Sequence, residues 1–294
     1  ASILHDCGVS QTNVHAKLTQ LQWEEESNHC LVGAELLKKS PYLNHLSDII
    51  LYHHTHWDRL QSLDVPEYMK LCANCIYMVD RVDVLTLTSD KSNVLVGAKE
   101  TLATVNNLKG TWFAPQLVDA LNRVASHESF WLDLEQVENN TTAEAWVATE
   151  VTTPISFAKL KGLVQIFSNI VDAKSRFTHE HSEGVASLSR YVAELFDLSD
   201  AQCDKIEIAG LLHDIGKLRT PDDYLEKPEK LNEDEFAMLR RHSYDTFNIL
   251  KKINGFEDIA LWAGQHHERI NGQGYPNHLS DDEISLEARK IGRA

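Results

Sequence analysis

Two stretches of this chain carry histidines at the same spacing, and that repetition constrains the fold more than any bulk property does. His29 lies 24 residues before the pair His53-His54, and His242 lies 24 residues before His266-His267, with no gap needed to align the two windows. Inside them Leu37-Lys38-Lys39 falls on Leu250-Lys251-Lys252, and each window is preceded by His-Asp-x-Gly, at His5 to Gly8 and at His213 to Gly216. The chain therefore reads as two copies of one domain, 1–137 and 154–294. A polar linker over 138–153, containing Asn139-Asn140-Thr141-Thr142, separates them. With 294 residues and 43% hydrophobic content, each copy can bury a core of its own.

Local signals are helical. Val185, Leu188, Val192 and Leu195 recur at three and four residues, which predicts a helix with these four on one face. Ser199 with Gln202, and Asn232 with Glu235, form capping boxes that open two more helices. Asn254-Gly255 separates neighbouring helices. Gly272, Gly274 and Pro276 make Asn271 to Pro276 a loop, the glycines permitting backbone angles that other residues resist. Alternating strand patterns are scarce, so the expected fold class is all-α.

Composition removes several classes of function. A formal charge of −16 opposes binding to long DNA or RNA, which draws on clustered Lys and Arg. A small phosphate ester stays within reach, because bound cations and one lysine can reverse the field locally. Five cysteines form a sparse, odd set, as expected of reduced thiols; Cys72 and Cys75 read as packing positions on a helix, with no metal assigned. No apolar run reaches membrane-spanning length and the chain does not begin like a signal peptide, so a soluble, cytoplasmic protein is expected.

The fifteen histidines then need a use. Neutral imidazole with carboxylate suits iron, manganese or zinc. If His213 and Asp214 sit on a helix, their side chains point about 100° apart, so the histidine can bind one ion while the carboxylate reaches between two. His266-His267 fall where a helix must end before the glycine-rich loop, so that local unwinding can turn both toward a second ion. His181 lies one helix upstream.

From residue 177 to residue 291 the chain resembles the HD-GYP phosphodiesterases, a branch of the HD superfamily of metal-dependent phosphohydrolases. The resemblance rests on Leu211-Leu212-His213-Asp214-Ile215-Gly216-Lys217, Lys227-Pro228-Glu229-Lys230-Leu231, His266-His267-Glu268-Arg269 and Asn271-Gly272-Gln273-Gly274-Tyr275-Pro276. It implies two tandem HD-type helical domains, the second of which hydrolyses cyclic di-GMP or 3′,3′-cyclic GMP-AMP. By position, His181, His213 and Asp214 would hold one divalent ion, and Asp214 would bridge to a second on His242, His266 and His267. Iron or manganese is the implied metal. Asp214 and Lys217 are the implied catalytic residues. Lys217, Arg269, Gly274, Tyr275 and Pro276 would meet the substrate, and the Gly-Tyr-Pro loop would also contact a diguanylate cyclase-type partner. The family's late Asp ligand would fall just past Ala294. Phe177 stands where three-metal members carry Glu, so two ions are expected.

The first copy keeps His5, Asp6, His29, His53, His54 and Asp80 in the same order, a vestigial metal site by this reading. Val9 replaces the lysine, Thr55-His56 replace Glu268-Arg269, and no Gly-Tyr-Pro follows. It reads as a degenerate HD-like domain, truncated at its start, serving packing, homodimer formation or signal input. Two other classes stay open on sequence alone: a cyclic-dinucleotide sensor that does not cleave, and a different HD-superfamily enzyme, either a nucleotidase or a di-iron oxygenase.

Overall fold

Side-chain caps at Asn93, Ser156, Ser199, Asn232 and Ser285 set where five of the described helices begin. The computed structural model describes residues 1–9, 28–88, 93–137, 154–174 and 181–292. Residues 138–153, read above as a linker, and Phe177 lie outside them. The described residues form two compact units, the first built from residues between Ala1 and Pro154 and the second chiefly from Ile155 onward. Both are helical, and the described residues contain no strand beyond two isolated bridges, Lys109 with Phe113 and Asn271 with Ser280. No described helix is long and apolar enough to cross a membrane.

The first unit contains α1 (Asn28–Lys38), α2 (Ser47–Leu51), α3 (Trp57–Leu60), α4 (Glu67–Thr88), α5 (Val94–Asn107), α6 (Pro115–Val124) and α7 (Glu128–Val137). Tyr77, Met78 and Val82 of α4 pack with Val105, Phe113, Val118 and Trp131 in its core. Cys72 and Cys75 do lie on α4, but Cys72 is exposed and Cys75 half-buried, both as free thiols, so Cys72 is no core position.

The second unit contains α8 (Phe157–Ala173), α9 (His181–Leu195), α10 (Asp200–Leu212), α11 (Asp222–Leu225), α12 (Glu233–Leu250), α13 (Glu257–Gly264) and α14 (Leu286–Ile291). Both capping boxes form, Ser199–Gln202 opening α10 and Asn232–Glu235 opening α12. α10 is the central helix: Ile206, Ile208, Ala209, Leu211 and Leu212 are all buried, against Val185 and Ala186 of α9 and Ile259 and Trp262 of α13.

Two expectations change. On α9 the buried face is Ser182, Val185, Ala186, Ser189 and Ala193, while Leu188 and Leu195 are 45% and 64% exposed. Close approach selects small side chains here and turns the leucines outward. His213 and Asp214 stand at a corner rather than on a helix: His213 caps the C-terminus of α10, and Asp214 starts a 3₁₀ turn over Ile215–Arg219.

Candidate metal centre

The His213-Asp214 corner is held against α12 by a contact that only glycine permits. A Cβ on Gly216 would meet the carbonyl oxygen of His242 at 2.0 Å. Thr246, wholly buried on α12, donates to the His213 carbonyl at 3.0 Å and accepts from the Gly216 amide at 3.0 Å. The close approach at Gly216 and the Thr246 hydroxyl thus bring the His213-Asp214 corner beside His242.

Each key imidazole is then oriented from behind. The Nδ1–H groups of His213, His242 and His266 donate to the carbonyls of Gly210, Leu239 and Ala263, three residues earlier, at 2.7, 2.5 and 2.6 Å. A proton fixed on Nδ1 leaves the lone pair on Nε2, the tautomer a metal ligand needs. His266 and His267 occupy the turn just after α13, with rings 4.1 Å apart. His181 begins α9, where Asp172 of α8 accepts from both the hydroxyl and the amide of Ser182, at 2.6 and 3.1 Å.

Asp214 lies between two sets of donors. Its Oδ2 is 3.2 Å from Nε2 of His213, and its Oδ1 is 3.4 and 3.7 Å from Nε2 of His242 and His266. Lys217 donates to Oδ2 at 2.6 Å. Oδ1 is buried without a hydrogen-bond partner. Ligand atoms of His181, His213 and Asp214 lie within 4.8 Å of one another, as do those of His242, His266 and His267. A buried carboxylate oxygen without a donor, facing imidazole lone pairs, fits a cation and little else.

The electrostatics agree. Burial works against charge on Asp214, but the neighbouring His213, then Lys217 and His266, hold its carboxyl well below the usual carboxylate range. Burial also disfavours protonated His213, yet Asp214 beside it raises that pKa. Burial keeps His242 and His266 below the ordinary imidazole value, and with His242 as neighbour it lowers His267 to about 3. These three rings are neutral donors at neutral pH.

The Gly-Tyr-Pro loop adjoins this centre. Tyr275 lies 4.7 Å from the His267 ring, and its amide donates to the His267 carbonyl. Gly272 adopts the expected positive φ of 70°. Gly274 needs no unusual angle; a Cβ there would strike the backbone of Glu268 and Arg269 at 2.3 to 2.6 Å, so close approach is its constraint. The Glu268 carboxylate accepts from the Asn277 and Leu279 amides at 2.6 and 3.0 Å, tying the loop to the histidine turn. Pro276 follows Tyr275 and Arg269 is exposed beside the turn. Sequence reasoning passed over Thr246, Asp172 and the role of Glu268, because each acts across a distance in sequence that no local pattern marks.

The first unit repeats the arrangement. His5 Nδ1 donates to Ser2 and His53 Nδ1 to Ile50, each again three residues earlier, at 2.8 and 2.6 Å. Asp6 Oδ2 is 3.3 Å from His5, and Oδ1 is 3.6 and 3.7 Å from His29 and His53. A Cβ on Gly8 would meet the His29 carbonyl oxygen at 2.0 Å. The close donor group here is His29, Cys30, His53 and His54; His5 and Asp6 stand beside it without belonging to it, and Asp80 is outside it, paired to Arg81 at 2.5 Å.

Residues 165–292 match the HD domain family, and residues 1–85 match an HD domain as well. The chain is 36% identical, over 99% of its length and 69% of the relative's, to 3'3'-cGAMP-specific phosphodiesterase 1 of Vibrio cholerae. It is 32% identical to 3'3'-cGAMP-specific phosphodiesterase 3 of the same organism, over 90% of this chain and 56% of the relative. A crystal structure of a cyclic GMP-AMP specific phosphodiesterase of V. cholerae, V-cGAP3, matches with a TM-score of 0.60 at 26% identity, covering 99% of this chain and 73% of that one.

Proposed function

This chain belongs to the HD-domain phosphodiesterases of cyclic dinucleotides, and from that premise we propose that its C-terminal half cleaves 3′,3′-cyclic GMP-AMP with two divalent ions, iron or manganese. The observation that carries the reading is the divided carboxylate of Asp214, with one oxygen beside His213 and the other beside His242 and His266. His181, His213 and Asp214 would hold one ion, and Asp214, His242, His266 and His267 the other. Bound there, the pair would lower the pKa of a water and stabilise charge on the phosphodiester.

The remaining work falls to the chain's own groups. Lys217, anchored on Asp214, supplies a cation where an anionic phosphodiester oxygen would approach the metal donors. Tyr275 covers one side of His267 and, with Gly274, Pro276 and the exposed Arg269, would form the wall that orients the dinucleotide. The names of the relatives that span most of the chain favour the mixed GMP-AMP substrate over cyclic di-GMP.

The test is hydrolysis by protein reconstituted with Mn²⁺ or Fe²⁺, comparing 3′,3′-cyclic GMP-AMP, cyclic di-GMP and cyclic di-AMP, with product analysis. Linear dinucleotide or mononucleotides from the first compound are expected. Tight binding without turnover by metallated protein would make the chain a sensor, and turnover confined to monomeric nucleotides would make it a nucleotidase.

A further inference from the structure

The first unit departs from the second at one position beside its histidines. Cys30 follows His29 where Ser243 follows His242, so a thiol stands in place of a hydroxyl. Its Sγ is 3.5 Å from His29 Nε2, as Ser243 Oγ is 3.4 Å from His242 Nε2. We propose that His29, Cys30, His53 and His54 form a closed zinc site, a structural centre distinct in metal and in role from the catalytic pair of the second unit.

Donor atoms of these four residues all lie within 4.8 Å of one another, and His29, Cys30 and His53 are buried. Bonds of about 2.3 Å to sulfur and about 2.0 Å to nitrogen, set tetrahedrally, put the two donors about 3.5 Å apart. That is the separation found between Cys30 and His29. His53 is wholly buried, its Nδ1 is committed to Ile50, and its Nε2 has no hydrogen-bond partner. A buried imidazole nitrogen without a hydrogen-bond partner, within 4.8 Å of three other donors, is the second mark of a cation.

Chemistry then selects the metal. A hydroxyl such as Ser243 adds little to a site of imidazole and carboxylate, whereas a thiolate shifts preference from manganese toward zinc. Asp6 Oδ1, 3.6 Å from His29 and 3.7 Å from His53, stands close enough to balance charge: with the thiolate it neutralises a divalent ion in this largely buried setting. Four protein donors leave no position for a reacting water, which is the mark of a structural zinc. The surroundings close the site further. Tyr77 packs against His54 at 5.3 Å, and His56 stacks on Trp112 at 4.3 Å. Val9 offers no cation where the second unit has Lys217.

The experiment is metal analysis and zinc X-ray absorption on the whole chain purified with zinc, followed by cobalt(II) exchange. A zinc–sulfur path near 2.3 Å with one sulfur, and a sulfur-to-cobalt charge-transfer band, are expected. Both should be lost in Cys30→Ser and kept in Cys75→Ser. His54→Gln, at a half-buried ring, should weaken zinc retention while keeping Cys30. Absence of the sulfur path in the parent protein overturns the assignment without reference to any variant's folding, and so does its persistence in folded Cys30→Ser. None of these readouts depends on dinucleotide cleavage.

Discussion

The two halves hold their histidines alike and differ in what surrounds them. From the HD carboxylate to its three neighbouring imidazoles, the distances are 3.3, 3.6 and 3.7 Å in the first half and 3.2, 3.4 and 3.7 Å in the second. Around that shared frame the second half has Lys217 on the carboxylate and Tyr275 beside His267, while the first has Val9 and an aromatic layer of Tyr77, His56 and Trp112. The frame depends on backbone carbonyls and on glycines pressed against a helix, which tolerate change in most other side chains. The cation and the covering loop are single side chains and short segments, which change readily. Donor geometry can therefore survive where the means of handling a substrate do not.

The largest difference between the halves is expected on removing the HD histidine. His213→Ala should reduce cleavage to background, because it deletes one of the donors around Asp214. His5→Ala should leave turnover within about tenfold of the parent, a change of about 1.4 kcal/mol in barrier. Steady-state rates on metal-loaded protein decide it, and equal losses from the two substitutions would erase the proposed division of labour. A smaller effect is expected at the lysine. Lys217→Ala should lower kcat by about 10² to 10³ with metal content unchanged, the usual cost of losing a charge-stabilising contact. Unaltered turnover would reduce Lys217 to a partner of Asp214. The smallest effect tests the likeness rather than the difference. Gly216→Ala and Gly8→Ala should each destabilise by about 1–3 kcal/mol, since each Cβ meets a helix carbonyl. Thermal unfolding should show comparable shifts; a neutral Gly8→Ala would mean that the corner of the first half is loosely held.

Much of this was legible in the sequence, and the physical reason differs from residue to residue. The capping boxes at Ser199 and Asn232 are local, with all partners within three residues, so sequence suffices. The histidine spacing survived as geometry because helix and turn lengths convert residue counts into distance. Leu188 and Leu195 misled because apolar periodicity marks a helix without saying which face its neighbours approach. His213 and Asp214 were expected on a helix, where the structure puts a corner whose stability comes from Gly216 and Thr246, contacts made 26 and 30 residues or more along the chain. Asp80 kept its place in the ligand order, but Arg81 engages its carboxylate, a competition that residue order cannot express.

Glu268 gives the Gly-Tyr-Pro loop a kinetic character. Its carboxylate accepts two backbone amides from the far side of the loop, and Gly274 sits directly on the backbone of Glu268 and Arg269. Hydrogen bonds to a charged group are worth about 1.5–3 kcal/mol each, so swinging this segment outward would cost several kcal/mol and hold the open population to about one molecule in a hundred or fewer. The loop is a wall and not a door. As the proposed wall of the site, the loop would stay in place while substrate and product come and go.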